Sequence, residues 1–159
     1  MDKNKAAYKL KGLPPVYCIN LDGEPERWFY METQFKYWEI ENYTRISAYD
    51  GREDDLSDII KGRYPEDMSS AEIGCTTSHL KAIKHWLDTS DSPYAIIMED
   101  DVDLSPVKNW SFKWVDFYSN GFRHVVGNTG ENINGNSMTF AAFAAAPFYT
   151  STGVPGTAD

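Results

Sequence analysis

The sequence predicts an α/β fold with a mainly parallel sheet flanked by helices. Three observations carry that expectation. Short apolar runs without charge, at 16–21 and 94–98, have the length and composition of strands buried on both faces. Stripes of apolar residues at spacings of three and four lie between them, as in amphipathic helices. The order is strand, helix, strand, helix, strand, helix, which parallel strands joined by helical crossovers produce.

The first fifteen residues are basic, lack an apolar core and close on Pro14-Pro15, so they read as a flexible lead-in with no signal peptide. Val16 to Leu21 is the first strand. Asp22-Gly23-Glu24-Pro25 is a turn with proline placed for the first turn of a helix. Trp28, Met31, Phe35 and Trp38 then form the stripe of that helix, and core packing is the ordinary role of such aromatics. Tyr43 to Ser47 is a second strand ending at Tyr49-Asp50-Gly51, and Arg52 to Tyr64 is a charged short helix with a loop. Ser69-Ser70-Ala71-Glu72 has capping-box spacing, and Ile73, Leu80, Ile83 and Leu87 lie on or near one face of the helix that follows. Tyr94 to Met98 is the third strand. Val107 to Tyr118 is helix-like and Phe122 to Val126 a further strand.

Beyond Arg123 there is no Lys or Arg, and the acids are Glu131 and Asp159. An Asn/Gly-rich stretch, an alanine run and a Thr/Gly/Pro-rich end follow, with little periodicity. The expected organisation is therefore a lead-in over 1–15, one α/β domain over 16–127, and a loop-rich or poorly ordered tail over 128–159.

The chain has 159 residues, enough to bury one core, and a formal charge of -9. That charge argues against nucleic acid or an anionic membrane surface as partner, since both require basic patches. It leaves room for a phosphorylated small molecule held by a metal and a few local cations. Cys18 and Cys75 have neither zinc-site nor disulfide spacing and read as buried thiols in a reducing compartment, and a cytoplasmic location is expected. The longest apolar run, Phe140 to Tyr149, is too short to span a bilayer as a helix.

The most informative segment is Tyr94 to Leu104. An apolar strand ends in Glu99, Asp100, Asp101 and Asp103, four carboxylates within five positions. Such a cluster repels itself unless a cation or ordered donors sit among the oxygens. It stands where open α/β sheets bind ligands, at the carboxyl end of a strand. A hard divalent metal holding a phosphate-bearing ligand is one reading. A solvated turn, with Asp103 capping a helix near Pro106, is the other.

Four segments stand in order: Tyr17-Cys18-Ile19-Asn20-Leu21 with Arg27, then Ser47-Ala48-Tyr49-Asp50-Gly51, then Glu72-Ile73-Gly74-Cys75-Thr76-Thr77-Ser78-His79, then Ile96-Ile97-Met98-Glu99-Asp100-Asp101-Val102. Together they resemble glycosyltransferase family 25, the lipopolysaccharide and procollagen galactosyltransferase type, over roughly 15–106. The resemblance implies a GT-A fold, whose Rossmann-like half binds a nucleotide-sugar at the ends of parallel strands. It implies Mn²⁺ or Mg²⁺ held by Asp101, with Glu99 at the ribose or the metal's outer shell and Asp103 as a further ligand. It places Asn20, Arg27, Asp50, Gly51, Ser78 and His79 around the donor. Arg27 would pair with a phosphate, Asp50 would contact base or ribose, and Gly51 would permit close backbone approach. Helix arginine, turn aspartate and structural histidine remain the ordinary roles of Arg27, Asp50 and His79.

The function so implied is metal-assisted transfer of a hexose, galactose from UDP-galactose, onto a saccharide, lipid-linked or other hydroxyl acceptor. The family pattern continues past the acidic strand, whereas 128–159 does not match it and reads as truncated or diverged, leaving the general base unassigned. Two other readings stay open. One is a catalytically silent binding module of the same fold. The other is a different metal-dependent phosphoester enzyme using the same carboxylates.

Overall fold

The computed structural model describes residues 4–61, 68–119, 126–128 and 139–144. The middle of its three parallel strands is β1 (Val16–Asn20), with neighbours β2 (Tyr43–Ser47) and β3 (Tyr94–Glu99). Beyond β3 lie two antiparallel strands, β4 (Val126–Asn128) and β5 (Thr139–Ala144), giving the order β2-β1-β3-β5-β4. The α/β expectation is met: three parallel strands are flanked by helices, in keeping with a Rossmann-like GT-A fold.

Every residue of β1 is buried, because helices cover both faces of the sheet. Helix α1 (Pro25–Tyr37) lays Met31 and Phe35, with Trp38 just beyond its end, against Val16, Cys18, Ile96 and Met98. Helix α2 (Ser70–Thr89) lays Ala82 and Trp86 against Tyr17, Ile19, Ala95 and Ile97 on the other face. The alternation of strand side chains divides one continuous apolar run between two cores. The chain leaves β1 for β2 on one side and returns to β3 on the other. The crevice this creates at the carboxyl ends of β1 and β3 is where ligands bind in such sheets.

Several local expectations change. Residues 52–61 form turns, not a helix, and 62–64 lie outside the described residues. The Asp50 and Asp55 carboxylates accept hydrogen bonds from the N–H groups of Arg52 and Ser57, each at 3.0 Å. Such local bonds compete with helix formation. On α2 the buried positions are Gly74, Thr77, Ser78, Ala82 and Trp86, while Leu80 and Leu87 are exposed, so the inward stripe is rotated from the leucines. The stretch expected as one helix over 107–118 is a 3-10 turn, Ser105–Asn109, followed by α3 (Trp114–Ser119).

Within the segment read as a flexible lead-in, Ala7–Leu10 form a 3-10 turn with Leu10 in the α1-side core. Within the segment read as a loop-rich tail, β5 pairs with β3. Of the strand expected over 122–126, residues 122–125 lie outside the described residues, and Val126 opens β4. No helix among the described residues is long and apolar enough to cross a membrane.

Candidate functional site

A cleft of about 160 Å³ opens at the carboxyl ends of β1, β2 and β3, against the N-terminal half of α2. Arg27, Asp50, Gly51, Ser78, His79 and Glu99 all line it, as do Arg52, Cys75 and Asp100. Asn20 reaches it through Asp100. Asp101 and Asp103 lie outside that lining.

Strand alternation decides where the acids go. Glu99 follows Ile97 onto the α2 face, and Asp100 follows Met98 onto the α1 face. On the α2 face, Glu99 Oε1 lies 2.9 Å from His79 Nε2 and accepts from Cys75 Sγ at 3.4 Å. The hydrogen bond with His79 is the main reason that the Glu99 carboxyl is held below its ordinary range. Cys75 is exposed, not buried as expected, because the helix turns it toward the open cleft. Partial burial and then the charge of Glu99 push its thiol up to about 11. Cys18, by contrast, is buried as expected, and burial pushes its thiol upward.

On the α1 face, Asp100 is 6% exposed. Its Oδ2 accepts from Asn20 Nδ2 at 2.6 Å, and its Oδ1 pairs with Arg27 at 2.5 Å. Burial raises its pKa, while the Asn20 hydrogen bond and the Arg27 charge oppose that rise. Asn20, itself 1% exposed, uses the rest of its amide as well. It donates to the Glu24 carbonyl at 3.0 Å and accepts from Arg45 Nε at 2.7 Å. The Arg45 Nη2 group pairs in turn with Asp22 at 2.7 Å. A chain of charge-assisted hydrogen bonds thus links the ends of β1, β2 and β3 to the start of α1.

The loop after β2 is pressed onto α2. A Cβ at Gly51 would stand 1.9 Å from the Ser70 carbonyl oxygen, and one at Gly74 would stand 2.5 Å from the Gly51 nitrogen. The close approach that Gly51 permits is therefore to the helix backbone. Ser78 fastens the same contact: its hydroxyl donates to the Gly74 carbonyl at 2.6 Å and accepts from the Tyr49 N–H at 2.8 Å. Beyond it, Asp50 receives two side-chain hydrogen bonds from Arg52, at 2.9 and 2.8 Å, which hold its carboxyl below the ordinary range.

Asp101 is exposed, and its carboxylate lies 3.7 Å from the Arg27 guanidinium. Asp103 accepts from the Ser105 N–H at 2.8 Å and the Ser105 hydroxyl at 2.7 Å, the local capping arrangement open to it on sequence. The acids after β3 therefore split three ways: to α2, to α1 and to solvent. Among the described residues, the group of three metal-ligating side chains that converges is Cys75, His79 and Glu99, not Glu99, Asp101 and Asp103.

Asp100, Arg45, Arg52 and Cys75 were not singled out as site residues by the sequence. The period-two alternation of β3 was the available signal for Asp100, and the four-residue spacing of Cys75 and His79 was the signal for the thiol. Nothing local marks Arg45, which acts by reaching across from β2.

Residues 13–120 match the model of a protein family described as glycosyltransferase family 25 (LPS biosynthesis protein), a match over more than half of the 159 residues. No curated protein matches the chain.

Proposed function

The chain belongs to glycosyltransferase family 25, and on that premise we propose that it transfers a hexose from a nucleotide diphosphate sugar to a hydroxyl of a saccharide or lipid-linked acceptor. UDP-galactose is the donor that the family resemblance favours. The observation that carries this reading is the cleft itself. Two arginines and a row of carboxylates surround it at the switch between β1 and β3, as recognition of a diphosphate and a ribose requires.

Arg27 is the phosphate-binding residue. Its pairing with Asp100 fixes the guanidinium at the mouth of the cleft and leaves further N–H groups for phosphate oxygens. Asp50, fixed by Arg52, is the acceptor for a ribose hydroxyl or a base N–H. Asn20 and Ser78 position these groups from behind, since their polar atoms are engaged within the protein.

The acids fit a hard divalent cation in part. Asp101 offers an exposed carboxylate beside Arg27, and Mg²⁺ or Mn²⁺ is commonly held by one or two carboxylates together with substrate phosphates. Asp103 does not fit, because Ser105 engages both its oxygens. A cation at Asp101 supplies, when bound, neutralisation of the charge that develops on the leaving diphosphate.

Calorimetric titration of UDP into the protein, with Mn²⁺ and then with EDTA, tests the proposal. Binding is expected only with the metal, and Asp101→Asn is expected to abolish it while the folded far-UV spectrum remains. Equal binding by Asp101→Asn would sink the metal assignment. Absence of UDP binding in either condition would replace the transfer reading with a silent relative of the family.

A further inference from the structure

We propose that Cys75, His79 and Glu99 form a second cation site, one for a single borderline-soft divalent ion of the Zn²⁺ or Co²⁺ type. Cys75 and His79 stand one turn apart on α2, so their side chains emerge on one face of the helix. Glu99, at the end of β3, faces them across the cleft. The three ligand atoms lie within 4.8 Å of one another.

Two of the separations are 3.4 Å, from Cys75 Sγ to Glu99 Oε1, and 2.9 Å, from His79 Nε2 to the same oxygen. The edges of a zinc tetrahedron built from ordinary Zn–S, Zn–N and Zn–O bonds are about 3.3–3.6 Å. Those two separations are close to tetrahedral edges, and the third, Cys75 Sγ to His79 Nε2, is at most 4.8 Å, so rotation of the side chains converts hydrogen bonding into ligation.

The ligand types decide the ion. A thiolate and an imidazole select zinc, cobalt or copper over magnesium and manganese, whereas Asp101 alone, with phosphates, suits the hard ions. Binding displaces the Cys75 thiol proton to solvent. Three protein ligands leave a fourth position, and all three residues line the cleft, so that position opens toward whatever the cleft holds. The site stands on these side chains alone and does not rest on the transfer reading.

Cobalt is the probe. Titration of Co²⁺ into the reduced, full-length protein is expected to produce a thiolate-to-cobalt charge-transfer band in the near ultraviolet. Zn²⁺ should bleach the band and excess Mg²⁺ should leave it. The band should disappear in Cys75→Ser, whose position is exposed and should not disturb folding, and survive in Cys18→Ala. His79→Ala should weaken Co²⁺ binding by at least the roughly 10–100-fold that loss of an outer-shell partner costs. Absence of the band in the wild-type protein, its retention in Cys75→Ser, or unchanged affinity in His79→Ala would overturn the proposal. Asp101→Asn should keep the band while losing Mn²⁺-dependent UDP binding, so failure of one site is read separately from failure of the other.

Discussion

Asn20 shows how much of the site depends on one uncharged side chain. It is buried at the end of β1 and bridges two atoms of charged groups that would otherwise lack a partner there, Arg45 Nε and Asp100 Oδ2. An amide can do this because it offers a donor and an acceptor together. Asn20→Leu keeps the branching of the side chain but removes the partner of Asp100 Oδ2 and of Arg45 Nε, leaving Arg27 to hold Asp100 by its other oxygen. Loss of about 2 kcal/mol is expected, the cost of removing hydrogen bonds to buried charged groups. Urea denaturation measures it, and a loss under about 0.5 kcal/mol, the scale of an ordinary surface substitution, would mean that water replaces the amide. At this scale the sequence was partly legible. The acidic cluster announced a site, and Asn20, Arg27, Asp50 and His79 were named from the family pattern. What it did not show was the division of labour. Consecutive residues at the end of β3 point to opposite helices, so Glu99 and Asp100 serve different partners, which a run of acids in a sequence does not display.

Among the elements, α1 was the most legible and carries a local strain at its end. Pro25 starts it, and the apolar stripe runs to Trp38. It stops at Glu39, which has φ 56°, the left-handed conformation that favours glycine. The Ile40 N–H donates to the Phe35 carbonyl at 2.9 Å, and the Glu39 N–H donates to the Lys36 carbonyl at 3.4 Å, a Schellman ending. Ile40 and Phe35 share the α1-side core, so packing holds a residue with a Cβ in that conformation. Glu39→Gly is expected to stabilise the protein by about 1 kcal/mol, a rise in Tm of roughly 3 °C. A lower Tm would show that the unfolded-chain entropy of glycine outweighs the relief of strain. Helix α2 was legible in its start, with Ser69 and Glu72 forming the anticipated capping box, but not in its facing. Gly74 turns inward because the loop after β2 lies too close for a side chain there. A hydrophobicity pattern records preference for burial and not the room available.

At the scale of the whole molecule, the α/β layering followed from the order of elements, while the extent of the sheet did not. β5 runs through Phe140-Ala141-Ala142-Phe143-Ala144, and alanine favours helix over strand, so pairing with β3 and β4 gives this stretch its form. Amide exchange on β3 tests that pairing directly. Successive N–H groups of a strand point to opposite edges. The Ile96 N–H donates to the Pro15 carbonyl at 2.9 Å, on the β1 side. By alternation Ala95 and Ile97 present theirs to β5, opposite Phe143 and Ala141. All three amides are expected to exchange slowly, near the limit set by global unfolding. If Ala95 and Ile97 exchanged quickly while Ile96 stayed protected, β3 would be an open edge and the working sheet would be the three parallel strands alone. The described residues that line the cleft come from β1, α1, α2, the loop after β2 and the end of β3, and that part would survive the outcome. The strand pairing of β3, which carries Glu99 and leads into Asp100, would then be with β1 alone, and an exposed apolar edge would favour association with another chain.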